Sequence, residues 1–273
     1  MSAPLVRVGR WITEHLVMFI CIVGLIYTIL PIAVVVVMSF DDTGDIVYQF
    51  NGFTFENWRH PCSPYGMCDA VVTSLQVGIL STLGATILGT LMAFALVRHR
   101  FRGRAVSNVG IFLPMASPEI VLGSSLLAFF VAGGFASYLG FTTILIAHVM
   151  FCISFVVVTV RARLAGLDTG LEEAAMDLYA NEWQTFWRVT FPLVFPGILA
   201  AALLAFSLSF DDFIITNLNA GQTQTFPMYV WGVARRDIPP QINVIGTAMF
   251  LVSVLIVLAA TLGGRRRGAR AVG

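Results

Sequence analysis

The sequence predicts an all-α membrane protein with six transmembrane helices. Charge is scarce, long apolar runs recur along the chain, and arginines cluster in alternate gaps between those runs. Of 273 residues, 58% are hydrophobic and 11% are charged, with a mean hydropathy of +0.85. A soluble domain carries about 25% charged residues. The few present here are too sparse to cover a water-exposed surface of this size. The formal net charge is +1, so no global field points to nucleic acid or to an acidic partner.

A membrane helix needs roughly 20 mostly apolar residues. The first run, 16–40, is uncharged. It exceeds the roughly 7–15 residues of a signal-peptide core, and no small-x-small cleavage site follows it. The second span is 71–97. The stretch 105–160 holds one charge, Glu119, and is too long for a single helix. Gly133-Gly134 and the segment Ser137 to Gly140 divide it into spans 105–132 and 140–160. The fifth span, 193–216, carries Asp211 and Asp212, and the sixth is 243–262. The whole chain, 1–273, reads as a single transmembrane domain without internal repeats.

Arginine placement sets the orientation. Arg7 and Arg10 precede the first span; Arg98, Arg100, Arg102 and Arg104 lie between the second and third. Arg161, Arg163 and Arg188 lie between the fourth and fifth, and Arg265, Arg266, Arg267 and Arg270 follow the sixth. With six spans, these thirteen of sixteen arginines share one side. Arg59, Arg235 and Arg236 fall on the other. Both termini and the loop 161–192 are therefore expected on the cytoplasmic side.

Of four cysteines, Cys21 and Cys152 sit in apolar runs and read as core residues. Cys62 and Cys68 flank a polar Ser-Pro-Tyr-Gly-Met segment. In an oxidising compartment this pair can form a disulfide. Two thiols alone do not complete a zinc site, and no metal is expected.

The loop 161–192 reads as two short helices. Thr169-Gly-Leu-Glu172 fits a capping box, after which Leu171, Ala174, Ala175 and Leu178 share a helical face. Asn181 can cap the second helix with Gln184 at the reciprocal position, and Trp183, Phe186 and Trp187 give it an aromatic face. Pro192 and Pro196 punctuate the start of the fifth span. Pattern alone leaves two readings open: a docking element, or an amphipathic hairpin on lipid headgroups.

Glu173-Ala174-Ala175, followed by Leu178, Ala180, Phe186, Arg188 and Phe191-Pro192, resembles the EAA loop of type I ABC importer permeases. Leu113-Pro-Met-Ala-Ser-Pro-Glu-Ile-Val-Leu-Gly123 and Ser207-Leu-Ser-Phe-Asp-Asp-Phe213 are similar to segments of spermidine/putrescine importer permeases, closest to the second permease of those systems. The resemblance runs from about residue 70 to the C-terminus. It implies a type I permease fold and a complex of two permeases, a dimer of ATP-binding subunits and an extracytoplasmic substrate-binding protein. It assigns Glu172, Glu173, Ala174, Ala175, Asp177, Leu178, Tyr179 and Ala180 to coupling with the ATPase. The family's glycine is Tyr179 here. Glycine supports a turn with positive φ that tyrosine disfavours, which opens the alternative that the turn shifts to Asn181.

Ionisable groups inside a bilayer usually face a cavity or a partner. Glu119, directly after Pro118, and the Asp211–Asp212 pair are therefore substrate-path candidates, at two depths. A polycation crossing a membrane needs such groups to replace lost hydration. Each has a plainer reading: Glu119 as a neutral hydrogen-bonded side chain, Asp212 as a helix cap or a partner of Arg235 or Arg236. Phe210 and Phe213 offer cation–π contacts or packing alone, and Tyr229 and Trp231 read as interface anchors. Asp41, Asp42 and Asp45 read as a solvated rim facing the binding protein. His99 and His148 show no partner pattern that suggests metal binding or acid–base work.

No G-x-x-x-x-G-K-[ST] occurs, so no cofactor is expected on this chain; ATP and magnesium belong to the partner ATPase. A secondary transporter would show inverted repeats and commonly more spans. A membrane enzyme would show a nucleophile–base or metal constellation. Only an importer permease needs a cytoplasmic docking helix at 161–192.

Overall fold

The computed structural model describes residues 3–42, 50–168, 170–235 and 238–270, with backbone alone at 3–14, 257 and 259–270. Asp45, Thr169 and Arg236, and the side chains of Arg7, Arg10, Arg265, Arg266, Arg267 and Arg270, lie outside the described residues. The chain divides into two units, Gly66–Trp231 and Met1–Tyr65 with Gly232–Gly273.

In chain order, α1 (Ala3–Met38) and α2 (Glu56–Arg59) come first. The larger unit is built on three long helices: α3 (Met67–Arg98), α6 (Phe141–Ala165) and α9 (Phe191–Asp211). The residues α3 buries are mostly small: Ser74, Gly78, Ser81, Ala85, Gly89 and Ala93. Lipid offers no hydrophobic drive between membrane helices, so close backbone approach supplies the contact instead. At Gly89 the approach excludes any larger residue, because a Cβ there would meet Val156 Cγ1 at 2.7 Å. Val156, Val157, Val160, Val194, Ala201 and Ala205 complete the core.

Two expected spans are interrupted. Span 105–132 is α4 (Arg104–Ala116) and α5 (Glu119–Ala132), bent by 111° at Ser117–Pro118. Pro114 stays inside α4. The break falls at Pro118, which lacks an N–H and disfavours helical geometry in the residue before it. Span 193–216 is α9 followed by α10 (Ile214–Asn219), with Asp212 extended between them. α5 packs on α10, and the buried Asn219 Nδ2 donates to Gly123 O at 3.2 Å. The break near 133–140 lies as read, between α5 and α6, with a single 3₁₀ turn at Ala136–Tyr138.

Between α6 and α9 come α7 (Gly170–Asp177), α8 (Glu182–Thr185) and a π-helical turn, Phe186–Thr190. α11 (Phe226–Val233) ends the unit.

In the smaller unit α1 packs on α12 (Gln241–Arg270). Asp41 is buried, not a solvated rim: its carboxylate accepts from the N–H of Asn51 at 2.8 Å, and its carbonyl accepts from Asn57 Nδ2 at 2.7 Å. Phe40, Phe53, Phe55 and Trp58 cluster beside it. Asp42 is exposed. Cys152 is a buried free thiol, as read, whereas Cys21 is a free thiol on the exposed surface of α1 and not a core residue; Cys62 and Cys68 are disulfide-bonded.

Among the described residues four helices are long and apolar enough to cross a membrane, or five if the bent pair α4–α5 is one span. The expected sixth, 243–262, falls in α12, whose described apolar part is Gln241–Ile256.

Candidate functional site

The adjacent acids Asp211 and Asp212 end up in different environments. Asp211 is exposed at the last turn of α9 and forms no ion pair among the described residues. Asp212 is buried and accepts from the N–H of Thr216 at 2.8 Å, the N–H of Ile215 at 3.4 Å and the Thr216 hydroxyl at 2.8 Å. It thus caps α10 at a point where the chain would otherwise leave backbone donors unmatched.

The side chain facing Asp212 is His148 of α6, with Nε2 at 3.3 Å from Asp212 Oδ2 and 2.8 Å from Thr216 Oγ1. The sequence offered no pattern for these partners of His148. Thr216 gives its proton to Asp212 and can only accept from His148, so Nε2 carries a hydrogen. On the far side Nδ1 lies 2.7 Å from Ser209 Oγ, itself 2.8 Å from Ser81 Oγ of α3. Ser81 can also donate to Gly78 O at 3.2 Å. This hydroxyl chain can run in either direction. A neutral imidazole accepts from Ser209; a charged one donates to it, and the chain then ends on the Gly78 carbonyl. Both arrangements leave every buried polar group matched, as a dry interior requires.

Phe210 and Phe213 have ring neighbours. Phe210 stacks on Phe206 at 5.9 Å and lies 6.4 Å from Phe226; Phe213 lies 5.1 Å from Trp231. Tyr229 is buried in the unit, and Trp231 is exposed. Glu119 stands exposed in the first turn of α5 and makes no hydrogen bond or ion pair among the described residues. It is not joined to the aspartates.

At the opposite end of α9 the loop is held by Glu172. Both Arg98 guanidinium nitrogens donate to its carboxylate in a bidentate pair, and Thr190 Oγ1 donates to Oε1. Burial alone would raise the Glu172 pKa; the hydrogen bonds from Arg98 and Thr190 and the Arg98 charge outweigh it, so the carboxyl titrates below its usual range. The Glu172 side chain is 17% exposed. Asn181 caps α8 as read: Gln184 N–H donates to Asn181 Oδ1 at 2.8 Å and Asn181 N–H to Gln184 Oε1 at 3.1 Å.

The positive-φ turn does not shift to Asn181, whose φ is −77°. Tyr179 itself adopts φ 63°. Its N–H donates to Met176 O, and the next N–H donates to Ala175 O. These bonds close the end of α7 as a left-handed residue does after a helix. The conformation sends the ring outward, 98% exposed, beside Leu178 at 82% and Trp183 at 70%. Glu173, Ala174 and Asp177 are exposed too, while Ala175 and Ala180 are half-buried. Behind them, rings run from Trp183 through Trp187 and Phe191 to Phe195, with neighbouring centroids 4.9–5.8 Å apart.

Residues 85–266 match the family described as binding-protein-dependent transport system inner membrane component. The chain belongs to that family. It is 33% identical over 240 residues to the spermidine/putrescine transport system permease protein PotC of Escherichia coli strain K12, covering 88% of this chain and 90% of the relative. It is 36% identical over 234 residues to the putrescine transport system permease protein PotI of the same strain, covering 84% and 83%. A chain of the bacterial alginate ABC transporter, crystallised with its alginate pentasaccharide-bound periplasmic protein, shares the fold with a TM-score of 0.67 at 18% identity, covering 94% of both chains. A chain of the MetNI methionine ABC transporter gives 0.55 at 18% identity, covering 76% of this chain and 96% of that one. As an inner-membrane permease of this family, the chain carries its irregular segments at the two ends of α9.

Proposed function

We propose that this chain is one permease subunit of a polyamine ABC importer. With a second permease it forms the path for spermidine or putrescine delivered by an extracytoplasmic binding protein. A separate ATPase dimer, using ATP and magnesium, docks on the exposed face of α7 and α8. The arginine-rich ends of the helices, both termini and that loop face the cytoplasm.

Asp211 carries the substrate class. It is an exposed carboxylate with no ion-pair partner among the described residues, at the broken end of a membrane helix, which attracts a cation and repels an anion. The names of the relatives support the same class. The exposed Glu173, Ala174, Asp177, Leu178 and Tyr179 support docking, and the Arg98–Glu172 pair supplies the stiffness that transmits movement from the loop to α3 and α9.

ATPase activity of the reconstituted complex with its loaded binding protein, across polyamines, amino acids and anions, tests this reading. Stimulation by spermidine or putrescine is expected. Stimulation by another solute alone contradicts the substrate class, and no stimulation by any solute contradicts the importer reading.

A further inference from the structure

We propose that His148 is a positioning residue for transport, acting through Asp212: it holds that carboxylate inside the bundle as the cap that separates α10 from α9, so that Asp211 alone faces the path. The proposal rests on the reading of Asp211 as the path carboxylate.

In a continuous helix successive side chains point about 100° apart. Two neighbouring aspartates would then share one side and present a double charge. Here α9 ends at Asp211, and Asp212 is extended, with φ −64° and ψ 127°. That turn carries the second carboxylate inward, where an ionised group persists only if it is paired and hydrogen-bonded. The N–H groups of Ile215 and Thr216 and the Thr216 hydroxyl supply dipoles. His148 is the one group among its partners able to carry positive charge.

The imidazole in turn is fixed from both sides, by Thr216 and by Ser209. Through Ser81 the same network reaches α3. The other titratable groups near it are Cys152 on α6, which donates to Ala205 O at 3.5 Å, and the exposed Asp211. Neither replaces the imidazole as a partner of Asp212. Without His148, an ionised Asp212 has no partner able to carry positive charge inside the bundle; turning outward, it joins Asp211 and ends the single-carboxylate arrangement.

His148→Leu, Asp212→Asn and the double variant test the proposal in the assembled complex. The amide introduced by Asp212→Asn keeps an oxygen for the N–H groups of Ile215 and Thr216 but needs no cation. His148→Leu is expected to lower polyamine uptake by about tenfold or more, as for a buried charge stripped of its partner. Asp212→Asn is expected to keep at least about a third of wild-type uptake, and the double variant to match Asp212→Asn within about threefold, because the two effects act through one contact. His148→Gln, which retains a donor but no charge, is expected to recover only part of the loss. Wild-type uptake in His148→Leu overturns the proposal. So does a double variant no better than His148→Leu, which would mean that His148 acts by filling space. If His148→Leu fails to assemble, the yield of assembled complex in the membrane is read instead. Rescue of yield by Asp212→Asn supports the proposal, and no rescue overturns it. Because yield needs no substrate, a wild-type complex that ignores polyamines overturns the function alone.

Discussion

The two ends of α9 are both irregular, and in opposite ways. At one end the π turn Phe186–Thr190 leads back to a loop whose apolar side chains point outward and whose Tyr179 sits at φ 63°. At the other, the helix stops at Asp211 and the next carboxylate turns into a fully matched polar network. Water or a partner can satisfy the first end, so unfavourable conformations and exposed rings persist there. The buried groups at the second are shut off from water, so each donor among them needs an acceptor. Strain with few bonds marks a surface built to meet another protein; a buried network marks a geometry that must not move.

Breaking the clasp between these regimes should have the largest effect. Glu172→Ala leaves Arg98 without its bidentate partner. Substrate-stimulated ATPase activity is expected to fall by about tenfold or more, since a charge-assisted clasp fixes the geometry of the loop. The exchange Arg98→Glu with Glu172→Arg should restore part of it. Equal activity in wild type and Glu172→Ala would show the clasp to be incidental.

Next comes the packing that carries α9. Gly89→Val should destabilise the bundle by about 1–3 kcal/mol through overpacking against Val156, seen as a lower unfolding temperature in detergent. An unchanged temperature would mean that α3 and α6 are not in close contact.

A smaller effect is expected from pH. The Glu172 carboxyl titrates lower when folded than when unfolded, because the bonds from Arg98 and Thr190 outweigh its burial. Its stabilising contribution is therefore full above the ordinary glutamate value of about 4.3 and is lost as pH falls through the lowered folded value. Hydrogen exchange of α7 should rise across that window in the wild type and less in Glu172→Gln. Identical profiles would exclude Glu172 as the titrating group.

The smallest change sharpens the contrast at Tyr179. Glycine there relieves the left-handed conformation at some entropic cost, for a net gain of about 0.5–1 kcal/mol. Tyr179→Gly should raise loop stability slightly and, with the exposed ring removed, weaken ATPase-subunit binding. Stronger binding would place the docking surface elsewhere.

Apolar runs made α1, α3, α6 and α9 legible in the sequence, and Gly133-Gly134 marked the gap between α5 and α6. The break at Pro118 was only half legible, because an apolar run does not register a single extended residue. His148 carried no signal at all. Its partners Ser209 and Thr216 lie 61 and 68 positions away, and only the packing of α6 on α9 and α10 unites them. The EAA resemblance assigned Glu172 and Glu173 together to coupling, but nothing in the sequence marked Arg98, 74 positions away, as the partner of Glu172. At Tyr179 local propensity argued for a shifted turn. Closure of α7 against the capped start of α8 outweighs that preference.

ATP-dependent spermidine uptake by proteoliposomes holding the complete complex, wild type against Asp211→Asn, tests the central claim most directly. Uptake by the wild type and a fall of about tenfold in the variant are expected, consistent with losing one charge from the path, with assembly unchanged. Equal uptake by both would contradict it.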